Sequence, residues 1–211
     1  MGGTEYHKIW SPYKRATQEP ARGKLIEGLW SRPEFDVLSD LDWKWTEKVN
    51  GTNVRIIWDG HKVDIGGRTD DAQMPLILVR LLRNMFTEEM LETQFHDAKV
   101  TLYGEGYGAK VSAGSGVYSP DPSFIMFDAN VAGWWLEPSS LDELGAQMGI
   151  PVVPPVLTGS IDEAIGLVRD RQFRSAWGNF QPEGLVGKPP LGLMGRDGDR
   201  LLIKLKAKDF A

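Results

Sequence analysis

Trp43-Lys44-Trp45-Thr46-Glu47-Lys48-Val49-Asn50-Gly51-Thr52-Asn53 sets the pattern for the rest of the chain. Trp43, Trp45 and Glu47 alternate with Lys44, Thr46 and Lys48, the period of two that gives a strand its two faces. Asn50-Gly51 is a strong turn signal, and Val54, Ile56 and Trp58 then resume the alternation. The expectation is a hairpin with Lys48 at a strand end, its amine aimed at whatever fills the turn. Taken alone, the segment reads as an ordinary hairpin with a solvated lysine. Only partners elsewhere in the chain can give that lysine chemistry.

The bulk numbers bound the rest. With 211 residues, 41% of them hydrophobic and 10% aromatic, the chain can bury a sizeable core in one domain, or at most two small ones. A net charge of −5 excludes a wholesale basic surface for duplex nucleic acid but leaves room for a local basic groove. Cysteine is absent, which rules out disulfides, thiolate zinc sites and cysteine nucleophiles. His7, His61 and His96 lack metal-ligand spacing, so any metal would be held by oxygen ligands. The start, Met-Gly-Gly-Thr-Glu-Tyr, has no apolar leader core, and Tyr6 stands where a myristoylation motif needs Ser or Thr. A cytoplasmic protein with no membrane association is expected.

Working outward, residues 1–40 mix aromatics with Lys8, Lys14, Arg15, Arg22 and Lys24. Two readings stand: a mixture that stacks on bases and neutralises phosphates, or an irregular arm that packs its aromatics on the core. On the other side, Val54 to Trp58, a turn at Asp59-Gly60 and Lys62 to Ile65 read as a β-hairpin that ends in Gly66-Gly67-Arg68. Arg68 follows two glycines, where backbone approaches a ligand closely, or it is a surface arginine. Leu76 to Phe86 recurs at helical spacing, and Thr87 opens a second short helix with Glu88 and Glu89 in its first turn.

Val100 to Gly108 places Glu105 between two glycines at the end of an apolar strand, and glycine weakens a strand unless something must come near. The loop through Gly114, Gly116 and Pro120 reads as a lid or a flexible connection. Ser123 to Asp128 is a buried strand ending on an acid. Ser140 with Glu143, and Ser160 with Glu163, are two capping boxes, and Gly149 ends the first of their helices. In the last fifth, Glu183 heads a short apolar strand. Lys204, Lys206 and Lys208 share one face of another, which fits either phosphate binding or an edge strand defended by lysines.

Taken in order, Lys48-Val49-Asn50-Gly51, Tyr103-Gly104-Glu105-Gly106, Phe127-Asp128, Glu183-Gly184-Leu185-Val186 and Lys204-Leu205-Lys206 resemble the motif series of covalent nucleotidyltransferases. The closer likeness is to ATP-dependent RNA ligases, because Glu47-Lys48-x-x-Gly51-Thr52-Asn53 looks like the motif of the second class of phage RNA ligase. Tyr6-His7-Lys8-Ile9 and Gly67-Arg68-Thr69-Asp70 are similar to small phage and bacterial members. If phage-encoded, the protein would work in the host cytoplasm. The resemblance spans nearly the whole chain and implies an α+β nucleotidyltransferase domain, antiparallel sheets around a nucleotide cleft with helices outside.

In that family the motif lysine attacks the α-phosphate of ATP, expels pyrophosphate and carries AMP as a phosphoramidate, which implies that role for Lys48. A free lysine has a pKa of about 10.4 and needs positive charge or desolvation nearby to act at neutral pH. The metal, Mg²⁺ or Mn²⁺, and Lys204 and Lys206 would supply that charge and bind the α-phosphate. By the same resemblance Glu105 holds the ribose or a metal-bound water, Glu183 orients the hydrated ion and Phe127 stacks on adenine. Asn53 and Arg68 contact phosphate or ribose, and the backbone at Thr46 and Glu47 meets the adenine edge. Asn50 stands where the superfamily usually has Asp and would reach the metal through water. AMP would pass to an RNA 5′-phosphate, and a 3′-hydroxyl would then displace it.

The chain is expected to be one nucleotidyltransferase domain over residues 1–211, with an N-terminal arm over 1–40 and no C-terminal RNA-binding domain. Rival readings are a DNA ligase or capping-type enzyme of the same superfamily, against the former of which Asn53 in place of arginine weighs, or a nucleotide- or RNA-binding protein without turnover.

Overall fold

Strands dominate the computed structural model, which describes residues 5–210. Residues 1–4, where the expected N-terminal arm begins, and Ala211 lie outside the described residues. In chain order the first elements are β1 (Tyr13–Arg15), β2 (Leu25–Trp30), α1 (Pro33–Val37), β3 (Trp43–Glu47), β4 (Thr52–Trp58) and β5 (Val63–Gly66). Helices α2 (Leu76–Met85) and α3 (Glu88–Phe95) precede β6 (Val100–Tyr107), β7 (Ser123–Val131) and β8 (Trp134–Trp135). The chain closes through α4 (Pro138–Met148), β9 (Pro155–Gly159), α5 (Ile161–Arg169), β10 (Gly184–Lys188) and β11 (Ile203–Lys206). The expected α+β class holds, with every strand pair within the named sheets antiparallel.

The chain divides into two compact units, the first formed by Met1–Tyr6 with Asn50–Val153 and the second by His7–Val49 with Pro154–Ala211. The first holds a five-stranded sheet in the order β5-β4-β6-β7-β8. Alternation along β4 and β6 turns Val54, Ile56, Val100 and Leu102 into a core closed by Leu78 and Leu82 of α2 and Leu141 and Leu144 of α4. The glycines beside Glu105 serve this core. A Cβ on Gly104 would meet the Phe124 ring, and one on Gly106 would meet Leu78. The close neighbour that explains these glycines is therefore a core side chain on the covered face.

In the second unit a four-stranded sheet runs β11-β10-β3-β9. Trp43 and Trp45, fully buried, stack at 6.0 Å on one face of β3 and pack with Ile161, Ile165 and Val168 of α5. Gly187 on the neighbouring strand leaves the space that the Trp45 ring fills.

Several local expectations change. β3 and β4 lie in different sheets, so Asn50-Gly51 is a passage between sheets and not a hairpin turn. The hairpin expected across Asp59-Gly60 does form, as β4 with β5. Ser160 makes its capping box with Glu163, but α4 starts earlier than expected, at Pro138 after Glu137, so Ser140 lies inside the helix and caps nothing. β7 runs on past Asp128 to Val131. Residues 13–30 are not irregular but contain the antiparallel pair β1 and β2. The loop after β6 is pinned by the buried Ser115, whose hydroxyl donates to Gly108 O at 2.6 Å. Lys208 lies beyond β11 in a 3-10 turn, Ala207–Asp209, so only Lys204 and Lys206 share a strand face.

Candidate active site

In the second unit, register brings three strand ends together. β10 is flanked by β3 and β11, with Leu185 opposite Glu47 and Gly184 opposite Lys206. One residue further out, Lys48 N donates to Gly184 O at 2.9 Å and Ala207 N to Glu183 O at 2.9 Å. The backbone thus fixes Lys48 and Glu183 side by side although 135 residues separate them. Lys48 Nζ donates to Glu183 Oε2 at 2.8 Å, and Lys206 Nζ pairs with Glu183 Oε1 at 2.9 Å. The three side chains are 21, 23 and 25% exposed, so the cluster is mostly out of water and its charges are poorly screened. Burial pushes the Glu183 carboxyl up, but hydrogen bonds and charge from Lys48 and Lys206 outweigh it and hold the group below its ordinary value.

Lys204 stands two residues before Lys206 on the same face, and its backbone N donates to Trp10 O at 2.8 Å. That bond, with Trp10 N to Leu202 O at 3.0 Å, covers the outer edge of β11. The lysines are therefore not defending a bare edge. Thr46 lies in the ladder opposite Val186. The Glu47 side chain, 2% exposed, accepts from Ser175 Oγ at 2.7 Å and Ala176 N at 2.8 Å. It anchors the segment after α5 to the strand that carries Lys48.

In the first unit, Asn53 on β4 lies opposite Glu105 on β6, on the sheet face away from the core. Asn53 Oδ1 is buried with no hydrogen-bond partner among the described residues. A buried acceptor left open beside a carboxylate suits a ligand donor such as a ribose hydroxyl. The register shift between Tyr103 and Gly104 leaves Phe127 as the extra residue of β7, between Met126 opposite Gly104 and Asp128 opposite Tyr103. Tyr6 meets the Phe127 ring edge-on at 5.1 Å and donates through its hydroxyl to Asp128 Oδ2 at 2.6 Å. Asn50 Nδ2 donates to Ala113 O at 3.2 Å.

Arg68 is exposed in the turn beyond β5 and is not part of the Asn53–Glu105 pair. The residue that organises this turn is Arg55, which sequence reasoning missed. It is fully buried, donating to Gly67 O at 2.7 Å and to Asp70 Oδ1 at 2.7 Å. A lone charged residue in the otherwise apolar run Val54 to Trp58 was the available signal. No such signal announced Ser175 as the partner of Glu47, or Tyr6 as the partner of Asp128.

Among the described residues no three carboxylates or histidines converge on a metal-sized site. A hydrated Mg²⁺-type ion, which keeps its waters and leans on one or two carboxylates, is compatible with Glu105 or Glu183.

Known proteins share this fold. The RNA ligase family profile matches residues 41–206, so the chain belongs to the RNA ligase family. Its fold is that of solved Naegleria gruberi RNA ligase structures. A lysine-to-alanine mutant with ATP and Mn superposes with a TM-score of 0.67 at 16% identity over 84% of this chain and 52% of that one. The ligase with PPi superposes with a TM-score of 0.65 at 17% identity over 99% of this chain and 60% of the other. A lysine-to-methionine mutant with AMP and Mn gives 0.66 at 15% identity over 99% and 60%. The chain thus spans between half and two thirds of the length of these solved relatives. No curated protein matches it by sequence.

Proposed function

We propose that the chain is an ATP-dependent RNA ligase in which Lys48 takes up AMP, passes it to an RNA 5′-phosphate and allows sealing to a 3′-hydroxyl in the cytoplasm. The observation that carries this reading is the Lys48–Glu183–Lys206 cluster. A solvated lysine does not need a partly buried carboxylate shared with a second lysine. A nucleophile that must face a phosphate does, because the carboxylate holds both ammonium groups in place until the anion arrives.

In the first step Lys48 Nζ leaves Glu183, gives up a proton to solvent and, as the neutral amine, bonds to the α-phosphorus as the bond to pyrophosphate breaks; its second proton is then lost to give the phosphoramidate. Lys204 and Lys206 face the charge that gathers on the phosphoryl oxygens. In the second step an oxygen of the RNA 5′-phosphate attacks the same phosphorus and the P–N bond to Lys48 breaks. In the third the 3′-hydroxyl attacks the 5′-phosphate and AMP leaves. A divalent ion held through water by Glu183 or Glu105, with Asn50 beside it, would neutralise phosphate charge. Asn53 and Glu105 would hold the ribose, Phe127 would stack on adenine, the backbone of Thr46 and Glu47 would meet its edge, and Arg68 would reach a phosphate. The solved relatives with ATP, AMP, PPi and Mn support this set of ligands.

The test is incubation with α-labelled ATP and Mg²⁺ or Mn²⁺, the four nucleotides compared, followed by nicked RNA bearing a 5′-phosphate. A covalent adduct that Lys48→Ala abolishes, and a sealed strand, are expected. An adduct without sealing or RNA-adenylate would confine the chain to self-adenylylation. No adduct would point to a nucleotide-binding protein without turnover.

A further inference from the structure

The chain is acidic as a whole, yet one cleft within the second unit gathers positive charge. It measures about 680 Å³ and is lined by Arg15, Arg22, Lys24, Lys204, Lys206 and Lys208. Among its lining residues Glu27 and Asp209 oppose them. Asp209 is already engaged, accepting from Arg15 Nη1 at 3.1 Å and Nη2 at 2.6 Å.

The cations sit on ordered backbone. Arg15 ends β1, and Arg22 and Lys24 belong to the connection to β2. That connection is closed by Ala16 N to Lys24 O at 2.9 Å, Gly23 N to Ala16 O at 2.8 Å and Arg15 Nη1 to Gly23 O at 2.7 Å. Lys208 is held in the turn after β11. Arg22, Lys24 and Lys208 are exposed and form no ion pair among the described residues. Like charges kept this close repel one another, a cost that a bound polyanion removes.

The neighbouring aromatic side chains decide which part of a polyanion is met. Tyr13, 7% exposed, packs on Trp30 at 5.0 Å, and Trp10 packs against the core with Lys8 Nζ 3.5 Å from its ring centre. Phe210, the aromatic residue in the lining, is partly buried against the core and has the Arg169 guanidinium carbon 5.7 Å from its ring centre. None of these rings offers an open stacking platform, so the cleft suits phosphates more than bases. At roughly 30 Å³ per water, its volume also far exceeds what a diphosphate fills.

We propose that this cleft binds the sugar-phosphate backbone of the 5′-phosphorylated RNA strand, independently of sequence. The site runs from Lys206, which holds Glu183, to the β1–β2 connection. It rests on the function proposed above and adds to it the path of the strand.

The test uses the whole chain without ATP and a fluorescent, 5′-phosphorylated single-stranded RNA, with binding followed by anisotropy across a KCl series. The cleft variant is Arg22→Ala/Lys24→Ala/Lys208→Ala. The control, Arg80→Ala/Arg83→Ala/Lys99→Ala, removes the same charge from exposed positions of the first unit. The cleft variant is expected to bind at least about tenfold more weakly at low salt. Its slope of log affinity against log salt should be shallower by about 2, given about 0.7 per single-strand phosphate. The control should stay within about twofold, and lysyl-AMP formation in the cleft variant should match the unaltered protein.

Equal losses in both variants, or unchanged RNA binding in the cleft variant, would overturn the assignment. So would failure of the unaltered protein to bind RNA. Retained RNA binding with lost adduct formation would hand the cleft to the ATP triphosphate instead. An unaltered protein that binds RNA through the cleft but forms no lysyl-AMP would leave the cleft standing and sink the ligase reading.

Discussion

Lys48 Nζ stands 2.8 Å from Glu183 Oε2, where β3 and β10 end side by side. The other carboxylate oxygen holds Lys206. The nucleophile is thus parked on the group that also aligns a phosphate-binding cation, and an arriving phosphate must compete with one carboxylate for two ammonium groups.

Glu183→Gln tests that coupling. The amide can still accept a hydrogen bond from Lys48 but brings no charge. The rate of lysyl-AMP formation should drop by roughly 10²- to 10³-fold, the range seen when one preorganised electrostatic group is lost. Single-turnover labelling reads it, and a rate within about twofold of the unaltered protein would show that Glu183 only fills space.

The same residue gives a pH signature. The Glu183 carboxyl titrates below its ordinary 4.5 in the folded chain. A depressed carboxyl contributes stability that is fully present above the unfolded value and is lost as pH falls through the folded one. Denaturant melts of the unaltered protein and Glu183→Gln should therefore differ by a constant amount above about pH 5.5 and converge as acid protonates the carboxyl below 4.5. A gap that instead widens on acidification would contradict the ion pairs.

Sequence carried the local pieces of this site well. Alternation at Trp43, Trp45 and Glu47 gave β3, and Ser160 with Glu163 gave the start of α5. What it hid was long-range pairing. Asn50-Gly51 has hairpin chemistry, yet β3 takes β9 and β10 as neighbours because Trp43 and Trp45 bury against α5, and β4 pairs with β5 and β6. Gly104 and Gly106 signalled a close neighbour without naming it, because Phe124 and Leu78, the side chains they admit, lie 20 or more residues away in the chain. Lys48, Glu183 and Lys206 were named from motif order, but only register explains why they touch.

Arg55 should prove a positioning residue. Arg55→Ala deletes the hydrogen bonds of a fully buried guanidinium to Gly67 O and Asp70 Oδ1, leaving Gly67 O without this donor, and should cost about 2–3 kcal/mol of stability. Faster proteolysis at the Gly67–Asp70 turn should accompany it. Arg55→Lys, which cannot reach both acceptors in the same fork, should recover only part of the loss. A stability change under about 0.5 kcal/mol, the level of an ordinary surface substitution, would refute the role.

Two glycines should respond with opposite sign. Gly104→Ala drives a methyl into the Phe124 ring and Ile125 O and should destabilise by about 1–3 kcal/mol. Gly166, inside α5 with open space around its Cα, should gain about 0.5–1 kcal/mol as alanine. Urea denaturation reads both, and a stable Gly104→Ala would mean that the β6–β7 face is looser than described.

The most direct measurement is peptide mass spectrometry of the protein after incubation with ATP and a divalent ion. One adenylyl group is predicted, on the peptide containing Lys48 and assigned to its Nζ by fragmentation, and absent from Lys48→Ala. An adenylyl group on any other residue, or one that survives in Lys48→Ala, would contradict the account.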